Sequence, residues 1–453
     1  MIELDSLAAI IPERFVEGSL ATFSSDATES RGIDALPAAV VQPLDVDEVV
    51  ALVAWSNEHG VPLVPRGGGT GFAGGAVPIE GGVVVDLSRM NRVLQFDPQL
   101  WRIQVQAGVT TWNLRRLARE NGLMFPPDPG AAEDSQIGGN IATNAGGPHA
   151  YKYGVTGDYV TGLSAVVAPG RVVTVGGAVR KDVAGYDLKH LLIGSEGTLG
   201  IITDAWLRLV PAPDMSRPIV ATFADAAAGC RAILDVVGSG LQPSALEFLD
   251  EGSIKASKAA FPVSLSPGAR FMVIADADGA TATVEALIAE LREALGSGAV
   301  DVYAPEQRTD IEALWRWRDG VSLAVESEFG GKVSEDIGVP LDRLEEMIAE
   351  TIAIGARHQL PACSWGHAGD GNLHSTFQVD PRDVAMIQRA ERAAEDLFRA
   401  AAAKRGTISG EHGVGWVKRG HLDLQWSAAA VDLHREIKRV FDPLNLMNPG
   451  KKT

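Results

Sequence analysis

Three glycine-dense segments in the first 203 residues of this 453-residue chain limit what it can fold into. The first, PRGGGTGFAGG at 65–75, has glycine at 67, 68, 69, 71, 74 and 75 and follows directly on an apolar run. The second is IGGNIATNAGG at 137–147 and the third GSEGTLGIIT at 194–203. Glycine totals 50 residues, above the ~7% of average usage. It is clustered rather than periodic, which excludes a collagen-like chain and a flexible linker. Clustered glycine inside a globular chain marks backbone that approaches something closely. Successive N–H groups can turn toward one anion as a nest, with Arg66 and Thr70 as added donors, and a pyrophosphate suits such a nest. No Gly-Lys-Ser/Thr follows, so this is no Walker A loop; no helix starts within the motif, so it is no Rossmann fingerprint. A tight hairpin without a ligand could explain one such loop. Three are better explained by a long cofactor, a nucleotide with a second ring system, touched from several loops.

Around these segments the pattern reads as strand, helix and strand over 38–65, with Asp45 as N-cap and Gly60 just past the helix end. Further strands are expected at 81–88 and 102–108, an amphipathic stretch at 110–121, paired strands over 160–175 and a short helix at 186–193. The composition changes at PAPDMSRP, residues 211–218, which reads as a domain boundary. Beyond it, IVATF, a helix over 223–238 and SALEFLD make one β-α-β unit. FMVIADADG, a helix over 282–296 and VDVYAP make a second. Two in tandem suggest a ferredoxin-like split β-α-β sheet. Helices are expected over 340–358, 381–404 and 427–440.

A second concentration of chemistry lies in WGHAGDGNLHSTF, which holds His367 and His374. Asp-Gly at the centre of AGDGN is turn chemistry, and a hairpin there would bring the two imidazoles toward one point. SGEHGVG adds Glu411 and His412 between glycines. Two neutral imidazoles and a carboxylate suit Zn²⁺ or a similar divalent ion. The spacing matches neither HExxH nor a zinc finger, so hydrogen-bonded loop histidines remain the alternative. Cys363 beside them reads as a small core residue.

Composition removes whole classes of function. With 40 basic and 58 acidic residues the net charge is −18, which does not favour a phosphate backbone, so no nucleic-acid partner is expected. Two cysteines supply neither a disulfide framework nor the four thiolates of an iron–sulfur cluster. No apolar run approaches the ~20 residues of a membrane helix, and the N-terminus lacks the features of a signal peptide. The expected location is cytoplasmic, with peripheral contact at the inner membrane face through a partner left open.

PRGGGTGFAGG, IGGNIATNAGG, GSEGTLGIIT, HAGDGNLH, SGEHGVG and the terminal NPGK occur in an order that resembles the flavin-linked D-2-hydroxyacid dehydrogenases. That group includes the glycolate oxidase D subunit, D-lactate dehydrogenase and D-2-hydroxyglutarate dehydrogenase, within the vanillyl-alcohol oxidase type of FAD-binding superfamily. The resemblance runs from about residue 38 to 452. It implies an α+β chain: a two-part FAD-binding domain of that type over 1–215, a ferredoxin-like substrate and metal-binding cap over 216–425, and a helical C-terminal segment, 426–453, returning to the FAD domain. It implies that Pro65, Arg66, Gly67, Gly68, Gly69, Thr70, Gly71 and Gly74 hold the pyrophosphate. Ser135, Gly138, Asn140, Thr143 and Gly146 would line the flavin side, with Tyr153 and Gly154 near it. Glu196, Gly200 and Ile202 would contact the cofactor by backbone, and Asn448 would lie close to the ring. The first loop carries neither His nor Cys, so non-covalent FAD is expected.

By the same resemblance His367, His374 and Glu411 are the metal ligands, His412 the general base and Arg318 in LWRWRDG the residue that binds the substrate carboxylate. Two positions depart from the hydroxyglutarate enzyme. Lys332 is offset from that enzyme's lysine, with Ser334 nearer, and Thr376 replaces an amide. The implied reaction is FAD-dependent oxidation of a D-2-hydroxyacid, of the lactate, glycolate or 2-hydroxyglutarate type, to the 2-oxoacid. The alternatives are a metal-independent flavin oxidoreductase on another alcohol and a non-catalytic FAD subunit of an electron-transfer complex. Quinone, an electron-transfer flavoprotein, an iron–sulfur subunit and oxygen are all open as electron acceptor, and a homodimer is open as the assembly.

Overall fold

A computed structural model describes residues 4–16, 20–28 and 31–452. The chain divides into two compact units. One comprises Met1–Gly146, Val155–Ala212 and Glu411–Thr453, the other Gly147–Gly154 and Pro213–Gly410.

In the first unit, Val46–His59 is the expected helix. Asp45 caps it by accepting the Glu48 N–H at 3.0 Å, and Gly60 ends it at φ +65°. That helix joins parallel strands Ala39–Val41 and Leu63–Arg66, with Val83–Asp86 between them and Phe15–Val16 at the edge. The strands read as unbroken valine runs because parallel strands are buried on both faces. Val49, Leu52 and Val53 of the helix pack into that core with Val41, Val83 and Val85. The second sheet is antiparallel, in the order Val93–Asp97, Arg102–Gln106, Ile201–Arg208, Val160–Val167, Arg171–Gly176. The C-terminal tail comes back to the first sheet, where Met447 bridges Leu63.

The second unit is built on a seven-stranded antiparallel sheet. Its strands are β1 (Met215–Phe223), β2 (Ala245–Leu249), β3 (Phe271–Gly279), β4 (Asp301–Tyr303), β5 (Gly331–Gly338), β6 (Ala362–His367) and β7 (Asn372–Val379). They lie in the order β4-β1-β3-β2-β6-β7-β5. The first four, with helices α1 (Ala226–Gly238) and α2 (Thr281–Gly296) after β1 and β3, are the ferredoxin-like unit read from the sequence. The other three repeat it. β5, α3 (Leu344–Arg357), β6, β7 and α4 (Val384–Ala403) follow the same course, and the fourth strand shrinks to one bridge between Thr407 and Gly338. The repeats join edge to edge through β2 and β6.

The two faces of this sheet differ. One carries Phe223, Phe248 and Phe271, and α1 packs there so closely that a Cβ on Gly229 would lie 2.0 Å from the Phe271 ring. The other carries Val220, Leu249, Met272, Ile274, Cys363 and Trp365, covered by the helices that contribute Ile254, Leu314, Trp317, Val321 and Val325. Because side chains alternate along a strand, Glu247 and His367 share this second face with Leu249 and Trp365.

The unit boundaries differ from those read in the sequence. The chain returns to the first unit at Glu411 rather than at 426, because 411–417 is hydrogen-bonded there: Glu196 accepts from Val414 N (2.9 Å) and Gly415 N (2.6 Å), and Ala73 O from Trp416 N (2.8 Å). Residues 147–154 belong to the second unit, held by the Lys152–Asp278 ion pair and by Tyr153 Oη donating to Asp278 at 2.5 Å. The second glycine segment is not all loop. Ile137–Thr143 is a helix, and a Cβ on Gly138 would lie 2.6 Å from Ala107 Cβ, so this glycine lets the helix close on its neighbour. Among the described residues, no helix is long and apolar enough to cross a membrane.

Replacing Gly229 by alanine should push α1 off Phe271. The expected cost is about 1–3 kcal/mol, the usual penalty of overpacking, read as a lower denaturation midpoint. An unchanged midpoint would show that the helix adjusts freely.

Candidate active site

In the first unit the three glycine segments converge on the segment that carries Glu411 and His412. Phe72, from the first loop, stacks on the His412 ring with centroids 4.7 Å apart. Gly146, from the second, lies against Glu411, where an added Cβ would be 2.8 Å from Oε2. Glu196, from the third, holds the backbone of 414 and 415 and also accepts from Lys452 Nζ at 3.1 Å. Asn448 closes the arrangement, giving its amide hydrogens to Gly75 O (2.9 Å) and Glu196 O (2.7 Å). Beside it the buried Lys451 ammonium donates to Val77 O and to Asn448 Oδ1 (2.6 and 2.7 Å), and burial pulls its pKa down to about 8.

Several residues read as cofactor contacts also make hydrogen bonds or close packing contacts within the protein. Arg66 donates to the carbonyls of Ser25 (2.7 Å) and Thr22 (3.4 Å), and burial lowers its pKa. Ser135 and Asn140 meet on the Thr111 hydroxyl, each at 2.7 Å, while Thr143 donates to Gly139 O inside its own helix. Pro65 lies within the strand Leu63–Arg66 and packs against Gly197. Gly200 lies against Val166 O, and Ile202 is buried in the strand Ile201–Arg208. Tyr153 and Gly154 fall in the second unit, where the Tyr153 hydroxyl is committed to Asp278.

The first unit nevertheless fits a dinucleotide. Gly68 passes so close to the backbone just before the second segment that a Cβ would sit 2.0 Å from Asp134 O, and Gly69 and Gly74 both take φ +71°. Exposed backbone is what such a fold offers a pyrophosphate. Among the buried polar atoms of this unit without a partner among the described residues, two lie at the second and third glycine segments: Gln136 Oε1 and Ser195 Oγ. Buried polar groups are nearly always satisfied, so these two, which the sequence reading passed over, mark places for ligand donors or acceptors.

The second unit gathers its chemistry on one face of the sheet. Register places Glu247 opposite His367, and His374 opposite both Trp365 and Asp336. The hairpin expected from Asp-Gly forms, with Gly371 at φ +66°, and brings the two imidazoles to 5.4 Å between centroids. His374 and Asp336 offer ligand atoms within 4.8 Å of each other. Asp336 has no exposed surface and accepts from Asn372 Nδ2 at 2.5 Å and from Ser409 Oγ at 3.2 Å. His367 approaches through Nδ1, 2.6 Å from Glu247 Oε1, and Arg318 pairs with the other Glu247 oxygen. Burial alone would push the Glu247 carboxyl up, but His367 and Arg318 outweigh it and bring it to about 2. Arg318 is 7% exposed, and its Nε–H has no partner among the described residues.

Neither Glu247 nor Asp336 was singled out from sequence. The signal for Glu247 was present, since an ionised carboxylate inside the apolar strand SALEFL must be paired. Asp336 needed the register, which no local pattern gives. At the two positions that depart from the hydroxyglutarate enzyme, Ser334 and Thr376 hydroxyls face each other at 2.8 Å, while Lys332 is committed to Ser322 and Glu326.

This architecture is the vanillyl-alcohol oxidase type of flavoprotein fold. The structure superposes on p-cresol methylhydroxylase with substrate bound at a TM-score of 0.82, with 17% identity, over 99% of this chain and 95% of that one. More specifically, the chain belongs to the FAD-linked oxidases and is an FAD-linked oxidoreductase: the family of their C-terminal domain matches residues 212–452, and the FAD binding domain matches residues 37–176. It is 37% identical to glycolate oxidase subunit GlcD of Bacillus subtilis, over 97% of this chain and 94% of that protein. It is 33% identical to D-lactate dehydrogenase of Anaerostipes hadrus, over 99% and 96%.

Gly68→Ala should force the first loop away from residue 134 and weaken FAD binding. The purified variant is expected to carry markedly less FAD by absorbance than the parent protein while keeping its helical content. Full FAD occupancy would mean that the close approach does not serve the cofactor.

Proposed function

We propose that this protein oxidises a small D-2-hydroxyacid to the corresponding 2-oxoacid. The observation that carries the reading is Arg318: a buried guanidinium, held on one side by Glu247, with its Nε–H unspent. A carboxylate is the natural acceptor for such a donor, since charge-assisted hydrogen bonds from arginine are short and directional. Bound FAD supplies the acceptor for the hydride that leaves the substrate α-carbon. The residues described above do the rest. Arg318 fixes the carboxylate and so orients the α-carbon. His412, assigned as base by the family's SGEHGVG motif, takes the hydroxyl proton onto its imidazole.

His367, His374 and Glu411, assigned by the family's motifs, are the proposed ligands of a divalent ion, Zn²⁺ the favoured one; Asp336, with a ligand atom within 4.8 Å of one on His374, is a further candidate. Imidazole and carboxylate donors fit such an ion. When bound, it supplies positive charge that favours the ionised form of the hydroxyl. The paired Ser334 and Thr376 hydroxyls and the committed Lys332 favour a substrate without a second carboxylate, glycolate or D-lactate rather than 2-hydroxyglutarate.

Anaerobic visible spectroscopy tests this. D-lactate or glycolate should bleach the flavin bands, L-lactate and D-2-hydroxyglutarate should do so far more slowly, and a chelator should abolish the reaction without releasing FAD. A yellow protein that no hydroxyacid bleaches would overturn the substrate class. Bleaching that survives removal of all divalent ions would overturn the metal assignment alone.

Arg318→Lys keeps a positive charge beside Glu247 but loses the planar donor fork. It is expected to raise KM for the hydroxyacid roughly ten- to a hundredfold, the worth of about 1.5–3 kcal/mol for a hydrogen bond to a charged group. Steady-state kinetics on the FAD-loaded variant would show it; an unchanged KM would remove Arg318 from substrate binding.

A further inference from the structure

Glu247 has none of the roles assigned so far, yet it touches two residues that do. It lies in the middle of β2 with no exposed surface. One oxygen takes a hydrogen bond from Arg318, and arginine can only donate. An ionised carboxylate only accepts, so the His367 nitrogen 2.6 Å from the other oxygen must carry a proton. That nitrogen is Nδ1, which leaves Nε2 as the one that bears the lone pair in neutral His367. Register makes the pairing a property of the sheet rather than of a mobile side chain, since Glu247 and His367 are direct cross-strand neighbours on β2 and β6.

We propose that Glu247 is a positioning residue of the ion site: it fixes His367 to ligate through Nε2, and through its second oxygen it binds Arg318 to the same anion. The ion ligand and the substrate-carboxylate anchor are thereby oriented together. This rests on the metal and Arg318 assignments made above. Carboxylates that accept from the far nitrogen of a ligating histidine set its tautomer and its ring orientation, and their loss usually costs ten- to a hundredfold in metal affinity. A structural charge pair alone gives no account of the shared geometry, because a buried ion pair is seldom worth more than apolar packing of the same volume.

The test uses the FAD-loaded full chain with Mn²⁺ as the probe. In Glu247→Gln both neighbours remain donors, so the amide NH₂ must face one of them. Mn²⁺ affinity, read by electron paramagnetic resonance titration, is expected to weaken about ten- to a hundredfold. In ¹⁵N-histidine spectra of the ion-free protein, His367 should shift from the Nδ1–H tautomer to a mixture of both. Glu247→Asp, which keeps the charge, should recover part of the affinity. If Glu247→Gln does not fold, Glu247→Gln/Arg318→Met removes the stranded guanidinium and should show the same loss and the same tautomer mixing. Unchanged affinity together with an unchanged His367 tautomer would overturn the proposal. Failure of the parent protein itself to bind Mn²⁺ would instead overturn the ion assignment, and is told apart because parent and variant then behave alike.

Discussion

One buried carboxylate organises the second unit. Glu247 enters the sheet between apolar neighbours, on a strand buried along its whole length. Burying that charge is costly, and it is tolerated because two donors meet it at once: His367 from the adjacent strand and Arg318 from the helix Arg308–Asp319 that covers this face. Around that anion the helix settles its Leu314 and Trp317 into the core with Trp365 and Cys363. The geometry of the polar row is therefore set by sheet register and by core packing, not by surface loops. Register is strict in such a sheet, because a slip by one residue would turn Glu247, His367 and His374 to the opposite face.

The first unit solves a different problem with the opposite material. Its glycine segments present backbone rather than side chains, and backbone loops need bracing. Glu196 and Asn448 provide it: one is an acceptor for the N–H groups of 414 and 415, the other a donor to the carbonyls of 75 and 196. Lys438 does the same for the tail, donating to Thr198 O (2.7 Å), Met447 O (2.8 Å) and Asp442 Oδ2 (2.6 Å). Many polar residues that look like ligands in the sequence are spent in this way. Arg66, Ser135 and Asn140 carry the right chemistry for a cofactor, and their side chains also bond within the protein. Gln136 Oε1 and Ser195 Oγ, by contrast, are buried without a partner among the described residues.

Much of the architecture was legible before any coordinates. The Val46–His59 helix with its Asp45 cap and Gly60 stop, the hairpin between the two imidazoles, and the tandem β-α-β pattern are local signals: a cap, a turn dipeptide, a period. The second ferredoxin-like repeat was not legible, because its fourth strand has shrunk to a single bridge at Thr407 and leaves no run of alternating residues to read. Nor was the short helix Ile137–Thr143, whose glycines suggest a loop until their packing against Ala107 is seen. The return of the chain at Glu411 was hidden as well. It depends on hydrogen bonds to Glu196, more than 200 residues earlier, and no composition change marks it.

The sequence by itself determined the family and, through that resemblance, the flavin cofactor, because the glycine segments and the paired histidines are contiguous motifs that keep their order along the chain. Tertiary structure alone decided which polar residues are spent on one another. It paired Glu247 with His367 and Arg318, set Asp336 across from His374, and committed Tyr153 to Asp278 and Arg66 to backbone carbonyls. The physical reason is that a polar side chain is defined by its partner. Partners that lie on neighbouring strands or on a covering helix are brought together by register and packing, which no stretch of sequence specifies alone.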